Sequence, residues 1–226
     1  MNSMNSLLVL MLASYIIPIA YVYYKYSSTN ASDPSSSTPR SISSIITSQY
    51  PLFTINDNIM LGLAASVFQT RHFIAACMFV MAIFTLLYEH QRSEMYLNSA
   101  RWSLSAIIVL LLGIFGVIYV PETNPVHYIF AAAAFFAIIG FMTWHTWWHN
   151  LRLSDPISDN LRLSDTISDN LRLLLYAQIL FMVLTVIGIL QDAPIFAVEA
   201  LFLMNFAVFY LYLHFNCFST FFTVKN

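Results

Sequence analysis

The chain has 226 residues, of which 59% are hydrophobic and only 9% charged, and its formal net charge is −2. A soluble domain carries roughly 25% charged residues, so a water-soluble fold of this size would lack the polar groups to cover its surface. The near-neutral charge also gives no indication of nucleic-acid binding. We therefore expect an integral membrane protein.

Apolar runs long enough to cross a bilayer recur along the whole chain. A transmembrane helix needs about 20 mainly apolar residues. Such a segment must be helical, because lipid offers the backbone no hydrogen bonds. The sequence predicts an all-α polytopic membrane protein, a bundle of about six transmembrane helices in a single membrane domain over 1–226. The predicted spans are about 7–24, 72–88, 102–120, 126–148, 173–190 and 195–215.

The first run could also be a cleaved signal peptide. No basic residue precedes it, no small-residue cleavage site follows it, and Tyr21, Tyr23 and Tyr24 before Lys25 are typical of an interfacial anchor. We therefore predict a retained span. Residues 25–71 then form a long loop with a Ser-rich first part. Its apolar second part either lies on the membrane surface as a short helix or extends the second span.

The distribution of Lys and Arg predicts the orientation. The short loops 121–125 and 191–194 contain neither residue. Most of the basic residues fall on the other side of the membrane, namely Arg92, Arg101, Arg152, Arg162, Arg172 and Lys225. The positive-inside rule therefore places both termini in the cytosol and the 25–71 loop in the lumen. The one N-glycosylation sequon, at Asn30, lies in that loop and makes Asn30 a possible glycosylation site.

A ten-residue tandem repeat occupies the cytosolic loop predicted at 149–172. Residues 150–159 recur as 160–169 with a single change, and 170–173 begin a third copy. Two copies are too few to bury a core of their own, so we interpret the repeat as a duplication in a tolerant loop. The alternative is a docking motif with Ser154 and Ser164 as phosphorylation sites.

Ionisable residues inside a membrane are functional candidates, because burying them in lipid is costly. Glu199 follows the start of the sixth predicted span by four residues, about 6 Å below the luminal interface. The predicted topology places His127, His72 and Asp192 in the same luminal layer, with Asp57 in the adjoining loop. We predict a polar site here, with either a ligand-binding or a structural role.

The other histidines fall on the cytosolic side. His145 and His149 have the i, i+4 spacing that can share a metal ion, although the neighbouring tryptophans fit an ordinary aromatic belt. His127 and His145 are 18 residues apart on one helix, about 27 Å, so no single site includes both. We expect no metal or other cofactor. With no complete catalytic set visible, we expect no enzymatic activity.

Small residues in two neighbouring spans predict close helix packing. They are Gly113 and Gly116 in the third span and Ala131–Ala134 in the fourth.

Four local motifs, taken in order along the chain, resemble the DRAM/Sfk/Frag family with its Cwh-like N-terminal domain. The motifs are Pro51 with Thr54-Ile55-Asn56-Asp57 and Val67-Phe68; Asn98 with the span ending in Gly113–Gly116; His127 with Ala131–Phe136; and Ala197-Val198-Glu199-Ala200. Asn56 stands where the family has Ser, and Ala200 where it has Trp. The likeness covers the whole chain apart from the Ser-rich segment and the repeat.

The resemblance implies a non-enzymatic membrane protein that modulates autophagy, lysosomal or lipid-related processes. The family also includes Golgi proteins of GPI-anchor lipid remodelling and plasma-membrane adaptors of phosphoinositide kinase. Membrane lipids and a membrane or cytosolic protein are the implied partners, and His127 and Glu199 the implied site residues. Two other hypotheses rest on the residues alone: a small proton-linked transporter or channel using Glu199, and a lipid hydrolase using cytosolic histidines and a metal.

Overall fold

The computed structural model describes residues 3–30, 41–42, 70–95, 100–153 and 161–218. This part of the chain is helical apart from short connections and contains no strand. The helices are α1 (Ser3–Asn30), α2 (Thr70–Met95), α3 (Ala100–Tyr119), α4 (Pro125–Leu153), α5 (Leu161–Leu190) and α6 (Phe196–Tyr212), and α6 continues into a π-helix (Leu213–Phe218).

Five of these helices are long and apolar enough to cross a membrane. Their apolar windows are Ile74–Gln91, Trp102–Tyr119, Pro125–Trp147, Ile167–Leu190 and Phe196–Asn216. Large apolar side chains such as Phe79, Leu112 and Leu180 point outward and are about half exposed, a surface suited to lipid rather than water. The prediction of an all-helical polytopic membrane protein is confirmed.

The first predicted span is helical, but its described apolar stretch, Asn5–Ile17, is shorter than a membrane span. Its crossing of the bilayer therefore stays a prediction. The helix α1 also continues to Asn30, so the start of the predicted 25–71 loop is helical. Most of the rest of that loop, including Asp57, lies outside the described residues.

The loop predicted at 149–172 is helical at both ends, which corrects the sequence interpretation. The helix α4 runs on to Leu153, and α5 begins at Leu161 within the second repeat copy. Ser168, Leu171 and Leu175 are buried and spaced three or four residues apart. This spacing places them along one helix face. Ser168 of the second copy and Leu171 of the partial third copy therefore lie on the same buried face of α5 as Leu175 of the fifth span.

Contacts divide the chain into two compact units, with the boundary inside α4 between Ala134 and Phe135. In the first unit α1 packs against α2 and α2 against α3. The start of α4 packs closely on α3, because a Cβ atom at Gly113 would lie only 2.8 Å from the Phe130 carbonyl oxygen and 2.9 Å from the Ala134 Cβ. This contact agrees with the close packing predicted from the small residues.

In the second unit α5 and α6 form an antiparallel pair joined by a tight turn. Asp192 has a left-handed φ of 57°. Its N–H donates to the Ile189 carbonyl (3.2 Å), and the Ala193 N–H donates to the Gly188 carbonyl (2.9 Å). These two bonds are those of a Schellman motif, which satisfies carbonyls that the end of α5 would otherwise leave unpaired.

Candidate functional site

The connection between α3 and α4 is held by its own hydrogen bonds. The Asn124 N–H donates to the Pro121 carbonyl at 2.9 Å, which closes a turn. The Asn124 Oδ1 accepts from the Val126 N–H at 3.0 Å, so Asn124 caps α4. Pro125 occupies the first helical position, where its missing N–H costs nothing. This cap fixes His127 at the third position of the helix.

His127 is buried and bonded to the end of α3. Its Nδ1 lies 2.7 Å from the Val120 carbonyl oxygen, and its backbone N–H donates to Asn124. Because a carbonyl can only accept, Nδ1 carries the hydrogen, and a neutral ring then keeps its acceptor lone pair on Nε2. The ring of Tyr128 meets the imidazole edge-on at 5.7 Å. His127 thus ties α4 to α3 across the loop and fixes the orientation of its own ring.

His72 lies at the same end of the first unit. Its side chain is exposed, and its ring centroid is 6.3 Å from that of Tyr119, the last residue of α3. Val120, which follows Tyr119, is the residue that accepts from His127. The end of α3 therefore contacts both histidines.

A third contact at this end involves two residues that sequence reasoning did not single out. Ser41 is fully buried, and its hydroxyl donates to the Glu122 Oε1 at 3.2 Å. Glu122 belongs to the turn that follows α3, so this bond joins Ser41 to the α3–α4 loop. Composition gave no signal for this bond, because Ser41 lies in a stretch rich in similar residues.

Glu199 belongs to the second unit. It is partly buried in the first turn of α6, and its backbone N–H donates to the Ile195 carbonyl at 3.0 Å. A carboxylate in this position is favoured by the positive end of the helix dipole. The position therefore offers a structural reason for Glu199 alongside the ligand-binding role predicted from the sequence.

Two amide side chains, also missed from the sequence, join α5 to α6. Gln178 is fully buried, and its Nε2 donates to the Phe202 carbonyl at 3.0 Å. Asn205 donates from Nδ2 to the Leu174 carbonyl at 2.9 Å and to the Gln178 side-chain oxygen. We call this pair, Gln178 and Asn205, the amide clasp. Both residues lie inside apolar runs, and an uncharged polar side chain at such a position indicates a hydrogen bond between helices.

Glu89 is a further buried polar residue, 2% exposed near the end of the second span. The predicted span ended at Tyr88 and so left Glu89 outside the membrane. The helix α2 instead runs on to Met95, and its apolar window reaches Gln91. The carboxylate of Glu89 is therefore inside the protein at this end of the helix.

The remaining sequence candidates have separate surroundings. His145 is buried, with its ring 4.4 Å from that of Phe141, whereas the side chain of His149 lies outside the described part of the chain. Asn30 is the last residue of α1. No cluster of three or more His, Cys, Asp or Glu residues that could hold a metal ion occurs among the described residues.

Comparison with known proteins adds no relative: no protein-family model, no curated protein sequence and no solved structure matches the chain. The fold and site define a helical membrane protein of several spans. The resemblance to the DRAM/Sfk/Frag family stays a prediction.

Proposed function

We propose that this protein is a non-enzymatic, DRAM-like membrane protein that modulates autophagy, lysosomal or lipid-related membrane processes through lipid or protein partners. The observation that carries the proposal is the hydrogen bond from His127 to the Val120 carbonyl. Together with the Asn124 cap and the Ser41–Glu122 bond, it holds the α3–α4 loop in one conformation. A loop whose conformation is fixed before binding loses little conformational entropy on binding, so it is suited to recognising a partner.

The same proposal includes the orientation and the compartment. Both termini face the cytosol, because the two short loops lack Lys and Arg whereas the opposite side carries most of them. The anchored α3–α4 loop then faces the lumen of an endomembrane compartment, or the outside of the cell. A protease-protection assay on vesicles from cells expressing the C-terminally tagged protein tests this orientation, since the tag should be digested without detergent.

The functional experiment uses cells that lack the protein and are complemented with tagged variants. We expect the wild type to restore autophagic flux and to locate with lysosomal markers. His127→Ala and Glu199→Gln should restore less, whereas His90→Ala, which changes an exposed histidine of α2, should restore flux fully. His127→Asn serves as the matched rescue, because its amide can still donate to Val120.

The compartment in which the tagged protein is found distinguishes between the functions known in the family. Tagged protein in the Golgi would favour GPI-anchor lipid remodelling, and protein at the plasma membrane would favour a phosphoinositide-kinase adaptor. Unchanged flux on deletion, with lysosomal location, would contradict the autophagy proposal.

Glu89 favours a second candidate, a small proton-linked transporter or channel. Glu89 belongs to a helix long and apolar enough to span a membrane, and its side chain is almost fully buried within the protein. Buried carboxylates in such helices are typical of groups that carry protons. Proteoliposomes with an internal pH dye test this function. Proton flux that is present in the wild type and lost in Glu89→Gln would support it, and flux equal to that of empty liposomes would eliminate it.

A further inference from the structure

One face of α5 points away from α6. Leu174 and Gln178 lie on the side that faces α6, because both accept a hydrogen bond from Asn205 there. Exposed side chains recur every three or four residues on the opposite side, which is the spacing of a single helix face. We call them the outer face of α5: Asp169, Arg172, Tyr176, Leu180, Val183 and Ile187.

The outer face changes from charged to apolar along the helix. The apolar window of α5 begins at Ile167, so the charges of Asp169 and Arg172 lie inside this window, at its outer end. Arg172 is about 4.5 Å deeper in the window than Asp169, and Tyr176 is about 6 Å deeper again. Beyond Tyr176 the face is aliphatic. A phospholipid has the same order, since a charged headgroup is followed by a polar ester region and then by acyl chains.

The guanidinium of Arg172 can bind more acceptors than the chain supplies. Its Nη1 donates to the Asp169 Oδ1 at 3.3 Å, and the two side chains remain 49% and 71% exposed. A guanidinium has five N–H donors, and within the described part of the chain Asp169 is the one acceptor that Arg172 has. At the edge of the hydrocarbon the nearest further acceptors are lipid phosphates, whose oxygens match the two-pronged geometry of arginine.

We propose that the outer face of α5 binds phosphatidylethanolamine, with Arg172 on the phosphate and Asp169 on the ammonium group. In this lipid the phosphate is attached to the glycerol and the ammonium is at the outer end of the headgroup. The helix has the opposite order, with its cation inside and its anion outside, so each charge of the lipid meets its complement. The hydroxyl of Tyr176, which is 64% exposed, can donate to the ester region below.

The order of the two charges also discriminates against other phospholipids. The quaternary ammonium of phosphatidylcholine has no N–H to donate to the Asp169 carboxylate. Phosphatidylglycerol has no cation, so its net negative charge is repelled by that carboxylate. The outer face of α5 is separate from the α3–α4 loop, so this proposal and the autophagy proposal can fail independently.

The first test needs no variant. Full-length protein is purified in detergent, washed free of bound lipid and titrated separately with phosphatidylethanolamine, phosphatidylcholine and phosphatidylglycerol of identical acyl chains. Native mass spectrometry measures the lipid that remains bound. We expect phosphatidylethanolamine to bind about threefold more tightly than either of the others, as suits partly exposed charge pairs. Equal binding of all the lipids, or a preference for phosphatidylglycerol, would overturn the proposal.

The second test uses exposed positions, where substitution leaves the buried contacts intact. Asp169→Asn should shift the preference from phosphatidylethanolamine to phosphatidylglycerol, because Arg172 still binds the phosphate and the repelling carboxylate is gone. Arg172→Gln should weaken the binding of every phospholipid. The matched control, Arg162→Gln, makes the same change at the equivalent position of the second repeat copy, about 15 Å nearer the start of α5, and should bind as the wild type does. An equal loss in Arg162→Gln and Arg172→Gln would refute the site, since general positive charge would then explain the binding.

Discussion

The Nδ1 of His127 donates to the carbonyl oxygen of Val120 across 2.7 Å, seven residues back along the chain. The bond joins the first turn of α4 to the residue after α3, so it closes the loop that we propose as a recognition surface. A buried carbonyl gives up its hydrogen bonds to water when the protein folds. Removing its donor therefore leaves this desolvation cost uncompensated.

The stability of the α3–α4 connection should therefore depend on this donor. We expect His127→Phe to lower the free energy of unfolding by about 1–3 kcal/mol, because it fills the space but leaves the Val120 carbonyl unpaired. His127→Asn should lower the free energy of unfolding by less, because the Asn amide can still donate to the Val120 carbonyl. Reversible unfolding in mixed micelles, with increasing denaturing detergent, measures both. Equal losses in the two variants would show that ring packing rather than the hydrogen bond is responsible.

The amide clasp should show energetic coupling between α5 and α6. Gln178→Leu and Asn205→Leu should each destabilise the protein by about 1 kcal/mol, the usual size of an interhelical hydrogen bond in a membrane. The double variant should lose less stability than the sum of the two single losses, because each single change already breaks the bond between Asn205 and Gln178. A double-mutant cycle in the same micelles measures this coupling. Strict additivity would argue against the clasp.

Close packing between α3 and α4 should make Gly113 intolerant of a methyl group. In Gly113→Ala the new Cβ would meet backbone atoms of Phe130 and Ala134 at 2.8–2.9 Å, so the helices must move apart. We expect a loss of about 1–3 kcal/mol. Gly140→Ala is the matched control within α4, because nothing lies within 4 Å of its added Cβ. A thermal melt in detergent should show a lower midpoint for Gly113→Ala alone.

The turn between α5 and α6 should discriminate among residues at position 192. The left-handed φ of 57° suits Gly and Asn but opposes a branched side chain. We expect Asp192→Asn to leave the thermal midpoint nearly unchanged and Asp192→Val to cost about 1–2 kcal/mol. If Val were tolerated as well as Asn, the conformation of this turn would have to differ from the one described.

Much of the architecture could be predicted from the sequence, because hydropathy alone decides which segments enter lipid. The second, fourth and fifth predicted spans fall within helices, and the third and sixth, with α6 taken together with its π-helix, extend past theirs by only one residue, Val120 and Ile195 respectively. The ends of α4 and α5 could not be predicted. The repeat is rich in polar residues typical of loops, and only packing in the second unit shows that Leu171 and its neighbours continue a buried face.

The candidate site was predicted only in part. Sequence reasoning selected His127 and Glu199 because ionisable groups are costly in lipid, but the partner of His127 is a backbone carbonyl, which no side-chain pattern reveals. Gln178 and Asn205 are uncharged and lie in apolar runs, so averaged hydropathy concealed them. The predicted second span ended at Tyr88, one residue before Glu89, whereas α2 continues to Met95, so the burial of Glu89 was not predicted.

The helix α5 is longer than the hydrocarbon core is thick, so part of the tandem repeat is helical outside the lipid. Its 30 residues extend about 45 Å, whereas the hydrocarbon core is about 30 Å thick, so roughly the length of one repeat copy stands outside the lipid as continuous helix. Ten residues turn an α-helix through almost three revolutions and stop about 80° short of the third. Equivalent positions in the second copy and the partial third copy therefore face different directions around one axis. Identical residues of the two copies thus lie on different sides of one helix, so the same substitution need not have the same effect in each copy.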